Sequence, residues 1–363
     1  MGPSGSRPAL PATATIRDVG PRDGLQPEAP VSVADRIRLV EALRHAGLRR
    51  IEAVAFVSPK AVPAMAGAAE VLAGISRPPD VSYAALVPNR RGAELALEAG
   101  VDELTVTISF SPTYNERNVK MPVEQSEAAI AEIAALAGPA GIPVDAVISC
   151  SFGSPYEGDA DPAEVVALAS RLAHQGVSAV TFADTTGMAT PRRIHDLVDV
   201  LGLGAGAGSA GSEPWRATVG LHLHDTRGTA LANALTALER GITRFDTAVG
   251  GLGGSPFAHG AAPRHRDAGG HPRRPGGDHR HRHRRPGGRR PPGRGPGRPA
   301  GTQRRGPPRP PPGLAHLSTA TFGPCRAGRG MLCRALVRDL QPLLQPGFPR
   351  TRRHLHHLRS LHR

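Results

Sequence analysis

The sequence predicts a (β/α)8 TIM barrel across residues 14–262, followed by a disordered tail rich in Arg, Pro and Gly. Eight short runs of β-branched residues alternate with Ala- and Leu-rich stretches whose apolar spacing is helical. Eight such units are the number that closes a parallel sheet on itself. An abrupt change of composition near residue 263 predicts the tail. A doubly wound open sheet is the alternative fold, because periodicity alone does not close a barrel.

The candidate strands follow one another at regular intervals along the chain. They are residues 14–20, 50–56, 81–87, 103–109, 143–151, 179–187, 218–225 and 244–251. Glycine, which is favoured just past a helix C-terminus, follows several of the helical stretches, at Gly47, Gly100, Gly176 and Gly241. The low-complexity residues 202–214 predict a surface insertion before the seventh strand.

The N-terminus and the cysteine content predict the compartment. Residues 1–13 are predicted to be a flexible N-terminus, with no apolar run long enough for a signal peptide. No stretch approaches the ~20 apolar residues of a membrane span. Residues 1–262 contain one cysteine, Cys150, which argues against a disulfide framework and favours a reducing environment. We therefore expect a cytoplasmic protein that has no contact with membranes.

The charge of the chain is divided between two unlike parts. Residues 1–262 hold 21 Lys and Arg against 28 Asp and Glu, a net charge of −7. Residues 263–363 hold 24 Arg and no Lys against 3 Asp, a net charge of +21. Such a tail is typical of a nucleic-acid-binding arm, but residues 263–313 contain no aromatic side chain on which bases could stack. Nucleic-acid binding is therefore not expected, and it stays the non-enzymatic alternative.

Two histidines lie two residues apart in the seventh candidate strand. Alternate residues of a strand point to the same side, so His222 and His224 are expected to share a face. Two imidazoles and a carboxylate form a common ligand set for a divalent metal, and Asp23, just past the first strand, is the natural carboxylate. The alternative is that both histidines fill a layer of the barrel interior.

Other charged residues lie at strand ends, where the active site of such a barrel forms. Arg22 is expected to bind a carboxylate or a developing enolate oxygen, although a surface ion pair with Asp23 is the alternative. Glu52, in the second strand, is expected either to orient neighbouring groups or to form a buried pair with Arg22. Asp184, at the end of the sixth strand, has the same two interpretations.

These residues belong to stretches that resemble the hydroxymethylglutaryl-CoA lyase family, within a wider group of metal-dependent barrels that includes the Claisen-type acyl-CoA synthases. In chain order the stretches are "VGPRDGLQ", "IEAVAFVSPKAVPAM", "SFSPTYNERNVK", "FADTTGMATP", "GLHLHDTRGTALANAL" and "GGLGGSPFAHGA". They extend from about residue 14 to residue 262. "FVSPK" and "GGLGG" favour the lyases over the synthases.

The resemblance implies cleavage of 3-hydroxy-3-methylglutaryl-CoA to acetyl-CoA and acetoacetate, a reaction of leucine degradation. The residues that would hold Mg2+ or Mn2+ in that scheme are Asp23, His222 and His224. Arg22 would stabilise the acetyl-CoA enolate, and Glu52 and Asp184 would orient groups or shuttle protons. The residues that would contact the acyl-CoA substrate are Arg22, Gln26 and Asn118. A homodimer is left open.

The chain departs from the family in its glycine loop, where the family carries an acid–base cysteine at the position of Ser255. A serine hydroxyl is far less acidic than a thiol, so a direct replacement would donate a proton poorly. A lyase or Claisen-type enzyme acting on another 3-hydroxy-acyl-CoA is therefore the alternative function. The family's next segment, "GNVATED", whose Asn completes the metal shell, has no counterpart here.

A second reading frame is compatible with the family's continuation beyond the glycine loop. High-GC codons chosen for "HPRRPGGDHRHRHR" at residues 271–284 translate, one base later, as "TPDDLVETTGIDTG", which resembles the family's next helix and "GIxTG" segment. We therefore predict that residues 263–363 are an out-of-frame translation and that the final barrel helix is missing. Apolar strand surface would then stay exposed, at about 25 cal/mol per Å2, and we expect this chain to be weakly folded or inactive.

Overall fold

In the computed structural model, which describes residues 10–203 and 218–254, eight parallel strands form a closed barrel in the order β1 to β8. The strands are β1 Thr15–Asp18, β2 Arg50–Ala55, β3 Ser82–Leu86, β4 Glu103–Ser109, β5 Val144–Ser149, β6 Ala179–Ala183, β7 Val219–His222 and β8 Arg244–Thr247. β1 pairs with β8 over four residue pairs, which closes the barrel. The predicted TIM barrel is confirmed, and the open sheet is excluded.

Within residues 10–203 and 218–254, eight α-helices lie between the strands. They are α1 Val33–His45, α2 Ala68–Gly74, α3 Arg90–Glu98, α4 Pro112–Val119, α5 Val123–Ala137, α6 Pro162–His174, α7 Pro191–Leu201 and α8 Ala230–Glu239. Several begin where the sequence supplies a capping side chain that accepts a backbone N–H, namely Ser32, Asn89, Asp161 and Thr190. Proline, whose ring favours the first helical turn, follows two of these caps, at Pro162 and Pro191.

The strands alternate apolar and polar residues between the two sides of the barrel wall. In β4, Leu104, Val106 and Ile108 belong to the apolar core between sheet and helices. The alternate residues Glu103 and Thr105 are buried and face the side chain of Arg17 in β1. The barrel interior around Arg17, Glu103 and Thr105, which we call the lower barrel interior, is therefore polar and charged. Such barrels ordinarily hold branched apolar side chains in their interior.

All the observed strands except β4 end before the predicted residue. The pairing of β6 with β7 stops at Ala183 and His222, and both chains then leave the sheet. His224 therefore lies two residues beyond β7, and Asp184 directly follows β6. The sequence predicted that both histidines belong to one strand, but only His222 does. Whether the two imidazoles lie close together therefore has to be judged from the distances between their side chains.

Several predictions fall outside the described residues. They concern the first nine residues of the flexible N-terminus, most of the predicted insertion at 202–214, Ser255 and the tail at 263–363. The domain boundary at residue 262 and the out-of-frame tail stay predictions. Among the described residues, no helix combines the length and apolar character needed to span a bilayer.

Candidate active site

A tight turn directly after β1 positions the first two site residues. Residues Gly20–Gly24 form one turn of π-helix, in which the carbonyl of Val19 accepts the backbone N–H groups of Arg22 (3.2 Å), Asp23 (2.7 Å) and Gly24 (3.1 Å). The glycine loop after β8 packs against this turn so closely that a Cβ on Gly24 would lie 2.8 Å from Cβ of Leu252. Arg22 and Asp23 are therefore held at the carboxyl end of the barrel, where active sites of this fold form.

Arg22 forms a buried ion pair with Glu52 of β2. Nε and Nη2 of Arg22 each lie 2.6 Å from Oε2 of Glu52, and Nη1 lies 2.9 Å from Oδ1 of Asp23. Burial opposes the charge of Arg22, but the two carboxylates outweigh it and raise the pKa of the guanidinium. These contacts use only part of the five N–H groups of arginine. Oε1 of Glu52 is buried and has no hydrogen-bond partner among the described residues.

Asp23, His222 and His224 converge at the mouth of the barrel. Nε2 of His222 lies 3.1 Å from Nε2 of His224 and 3.8 Å from Oδ2 of Asp23. Burial acts to raise the pKa of Asp23, but the charges of Arg22 and the histidines outweigh this effect. The net pKa of Asp23 is lowered, so the carboxylate is ionised. Burial and the neighbouring His222 lower the pKa of His224 to about 4, which leaves that imidazole neutral.

Asp23, His222 and His224 are chemically suited to bind a divalent metal, although they do not form a preformed metal site. An ionised carboxylate and neutral imidazole nitrogens are the ligands that such ions take. Two imidazole nitrogens 3.1 Å apart, as in His222 and His224, can be bridged by a proton or a cation. Among residues 10–203 and 218–254, no group of three or more His, Cys, Asp or Glu is arranged as a preformed metal site. The structure thus brings the three predicted ligands together without completing a cage.

Asp184 supports the loop that follows β6. Its Oδ1 accepts the backbone N–H of Ala189 (2.9 Å), and its own backbone N–H donates to the carbonyl of His222 (2.8 Å). Burial raises the pKa of its carboxyl to about 7, and Oδ2 has no hydrogen-bond partner among the described residues. Asp184 therefore borders the site and positions its loop.

The two predicted substrate contacts are less closely tied to this centre. Gln26 is half-buried three residues after Asp23, and its backbone N–H donates to the Asp23 carbonyl (3.3 Å). Asn118 is half-buried in α4. Neither side-chain amide forms a hydrogen bond with another residue in the described part of the chain, so the structure does not connect them to the ligand set. The nearby Asn115 is buried, and its amide accepts from Ser109 and donates to Met121 and Ser126.

Sequence reasoning missed Asp246 of β8. Its Oδ2 lies 3.0 Å from Nδ1 of His222, and its two carboxylate oxygens face Nε and Nη2 of Arg17 at 2.9 and 3.0 Å. Burial raises the pKa of Asp246, but Arg17 and His222 lower it well below the ordinary range. The available signal was "RFDT" in the eighth strand, where an acidic residue interrupts an otherwise ordinary strand pattern.

A closed (β/α)8 barrel whose mouth gathers a buried arginine, an ionised carboxylate and two imidazoles defines a barrel enzyme with a polar catalytic centre. More particularly, the chain belongs to the HMGL-like family of carbon–carbon lyases, whose family model matches residues 13–263. The resemblance drawn from the sequence is confirmed.

Similar proteins support this assignment. The chain is 44% identical to the 3-hydroxy-3-isohexenylglutaryl-CoA/hydroxymethylglutaryl-CoA lyase of Pseudomonas aeruginosa, over 69% of this chain and 81% of the relative. It is 42% identical to the hydroxymethylglutaryl-CoA lyase of Bacillus subtilis, over 69% and 82%. A solved hydroxymethylglutaryl-CoA lyase from Pseudomonas aeruginosa superposes with a TM-score of 0.62 at 42% identity, covering 69% of this chain and 80% of that one. The lyase of Acinetobacter baumannii, solved with coenzyme A and 3-methylmalate, superposes with a TM-score of 0.62 at 39% identity, covering 69% and 79%.

Proposed function

We propose that the barrel of this chain cleaves 3-hydroxy-3-methylglutaryl-CoA to acetyl-CoA and acetoacetate. The observation that carries the proposal is the convergence of Asp23, His222 and His224 beside the buried Arg22–Glu52 pair. Relatives above 40% identity that bear the name of this lyase support the same substrate. The proposal extends to a cytoplasmic role in leucine degradation, where this thioester is a substrate.

The chain's own residues supply the binding and the charge stabilisation. Arg22, which Glu52 and Asp23 fix in place, directs its remaining N–H groups to the thioester oxygen that becomes an enolate as the C2–C3 bond breaks. Asp23, His222 and His224 would hold Mg2+ or Mn2+. Such an ion, when bound, lowers the pKa of a hydroxyl that it polarises. Glu52 and Asp184 hold neighbouring groups in place and provide carboxylates for proton transfer.

Proton donation to the enolate carbon is assigned to the glycine loop. Ser255 occupies the position of the family cysteine and lies outside the described residues. Because a serine hydroxyl is a weaker acid than a thiol, we expect proton donation by Ser255 to be slow. Water is the other available proton donor. Gln26 and Asn118 are proposed to contact the acyl-CoA chain.

A second substrate of the same class has a specific observation in its favour. The Pseudomonas aeruginosa relative is named for 3-hydroxy-3-isohexenylglutaryl-CoA as well as for the methyl compound. A larger 3-alkyl group on the same 3-hydroxyglutaryl-CoA skeleton would need the same arginine and the same ligand set. We therefore propose the longer compound as the alternative substrate.

The test is a direct assay of two proteins with each substrate in the presence of Mg2+ or Mn2+. One protein is the 363-residue chain, and the other carries, after residue 262, the translation of the alternative reading frame. We expect acetoacetate from the second protein and little or none from the first. Addition of EDTA should abolish turnover, and D23N should do the same. Absence of product from both proteins with both substrates would refute the proposed function.

A further inference from the structure

Asp246 connects His222 to a cluster of charged residues in the lower barrel interior, which we call the floor cluster and define as Arg17, Arg50, Glu103, Asp145, Arg244 and Asp246. We propose that Asp246, held by Arg17, is a positioning residue that fixes His222 in the tautomer with hydrogen on Nδ1. Nε2 then presents its lone pair towards Asp23 and His224. The inference rests on the proposed metal-dependent function, because it explains how one of the proposed ligands is prepared.

The geometry leaves one hydrogen-bonding role to the Nδ1 atom of His222. Nδ1 lies 3.0 Å from Oδ2 of Asp246. An ionised carboxylate can only accept hydrogen bonds, so the imidazole nitrogen has to be the donor. Arg17 stabilises that state, because its Nε and Nη2 atoms donate to the two oxygens of Asp246 at 2.9 and 3.0 Å. A neutral imidazole that donates from Nδ1 has its lone pair on Nε2, the atom that faces His224 at 3.1 Å.

Arg17 fixes the orientation of the Asp246 carboxylate. The two residues lie directly opposite each other in the pairing of β1 with β8. Nε of Arg17 lies 2.9 Å from Oδ1 of Asp246, and Nη2 lies 3.0 Å from Oδ2. This two-pronged contact prevents rotation of the carboxylate about its own axis, because a guanidinium and a carboxylate match in only one plane. The histidine therefore meets an acceptor whose position is set by strand register.

The rest of the floor cluster holds Arg17 in turn. Nη1 of Arg17 lies 2.8 Å from Oδ2 of Asp145 and 3.1 Å from Oε1 of Glu103. Arg244 contacts Asp145 at 3.2 Å, and Arg50 contacts Glu103. The three arginines balance the three carboxylates, so no uncompensated charge is buried in the cluster. The contacts join β1, β2, β4, β5 and β8, which makes the floor cluster a rigid support for Asp246.

A purely structural ion cluster would make a different prediction. In that case, loss of any one carboxylate would destabilise the barrel and leave the imidazole of His222 unaffected except through unfolding. Glu103 is the matched control, because it shares Arg17 with Asp246 and makes no contact with His222 among the described residues. Comparison of D246N with E103Q therefore separates positioning of the histidine from general support of the fold.

The first measurement is the affinity of the 363-residue chain for Mn2+ without substrate, followed by the electron paramagnetic resonance of free Mn2+. Circular dichroism establishes that each variant is folded. D246N should weaken Mn2+ binding by about 10- to 100-fold, the usual effect of losing the partner of a metal-binding histidine. E103Q should lower the affinity far less than D246N does, because Arg17 keeps its contacts with Asp246 and Asp145. R17K keeps the positive charge but loses the two-pronged contact with Asp246, so it should weaken Mn2+ binding less than D246N does. If D246N does not fold, R17K is the variant to compare with E103Q. Equal affinity in D246N and the unaltered chain, or equal losses in D246N and E103Q, would overturn the inference.

The second measurement reads the tautomer itself and does not depend on metal. Chain labelled with 15N-histidine is observed by long-range 1H–15N correlation at a pH where both imidazoles are neutral, and H222N assigns the signal of His222. We expect hydrogen on Nδ1 in the unaltered chain and in E103Q, and a change of tautomer in D246N. Hydrogen on Nε2 in the unaltered chain would contradict the positioning role. If neither the unaltered chain nor the protein with the restored reading frame binds Mn2+, the proposed metal site is wrong, and the tautomer alone decides whether Asp246 orients the histidine.

Discussion

Oε2 of Glu52 lies 2.6 Å from both Nε and Nη2 of Arg22, and the pair is buried behind the mouth of the barrel. The contact fixes the orientation of a flexible arginine and leaves part of its five N–H groups for other partners. Its two residues come from β2 and from the turn after β1, so the pair also ties that turn to the barrel wall. Removal of the carboxylate should affect both stability and catalysis.

Glu52→Gln is expected to lower the free energy of unfolding by about 3 kcal/mol, because it leaves a buried guanidinium with one carboxylate partner where it had two. Urea denaturation followed by circular dichroism measures this loss. Glu94→Gln is the control, since Glu94 forms exposed ion pairs with Arg90 and Arg91 that contribute little to stability. An E52Q variant as stable as the E94Q variant would show that the buried pair does not hold the turn.

Asp18 should make the stability of the barrel depend on pH. Burial raises the pKa of its carboxyl from 3.8 to about 7, although Gly20, Val249 and Thr247 donate hydrogen bonds to it. A folded-state pKa above the unfolded value means that the folded chain binds more protons between these two values. Stability therefore falls as pH rises from about 4 to about 7 and is level above that range.

Asp18→Asn should remove this dependence, because the amide oxygen still accepts from Gly20 and no charge has to be buried. At pH 8 the variant is expected to be more stable than the unaltered chain by up to about 4 kcal/mol, since one pKa unit corresponds to about 1.4 kcal/mol. At pH 4 the two should be equal. Urea unfolding at both pH values measures the difference, and Asp80→Asn, on an exposed ion pair with Arg49, controls for loss of a carboxylate. A constant difference between D18N and the unaltered chain across the range would contradict the assignment.

Gly24→Ala tests the contact between the turn after β1 and the glycine loop. The added Cβ would lie 2.8 Å from Cβ of Leu252, so one of the two segments has to move. We expect a loss of stability of about 1–3 kcal/mol, as for other overpacked sites. Lyase kcat should also fall in the protein with the restored reading frame, because Arg22 and Asp23 are in the same turn. Gly138→Ala is the control: its Cβ would have no heavy atom within 4 Å, and Gly138 has helical backbone angles. Equal effects of the two substitutions would argue against a tight contact.

The barrel and the proximity of three candidate site residues could be predicted because strand-end position and short spacing are local properties of the sequence. Asp23 directly follows a strand, and His222 and His224 are close in the chain, so their convergence needed only the correct number of strands. Asp246 could not be predicted in the same way. Its function depends on the register that sets it opposite Arg17, which is 229 residues away in the chain. Periodicity predicts which side of a strand a residue faces, but not which residue it faces across the barrel.

Sequence patterns also could not predict that the barrel interior is polar. Glu103 and Asp145 interrupt strands that were recognised by their β-branched residues, and each could equally have been an exposed residue at a strand end. Only the closed barrel shows that both meet Arg17 at 3.1 and 2.8 Å. Gln26 and Asn118 are a different case. The family resemblance implied that they contact the substrate, and such a contact forms only when the substrate is bound.

The nucleotide sequence across codons 255–285 tests the prediction about the tail. We expect an open second reading frame that encodes a helix after the glycine loop, because residues 271–284 can be decoded in this way with high-GC codons. The family resemblance implies that the same frame also encodes the asparagine of the metal shell. Sequencing of the genomic DNA and of the transcript measures this directly. A second frame interrupted by stop codons, together with salt-sensitive DNA binding that disappears on deletion of residues 263–363, would support a genuine basic arm.

Ser255→Cys should raise the turnover of the protein with the restored reading frame. A thiol with a pKa near 8.5 is a far better proton donor at neutral pH than a serine hydroxyl, and a positioned acid typically contributes about 100- to 10,000-fold to a proton-transfer step. We expect kcat to increase with little change in KM, since the substitution alters the donor and not the binding groups. Ser255→Ala is the matched control. If it is as active as the unaltered protein, the serine donates no proton and water does. If S255C is no faster than S255A, residue 255 is not the acid of this enzyme, and the alternative 3-alkyl substrate then becomes the first one to assay with both variants.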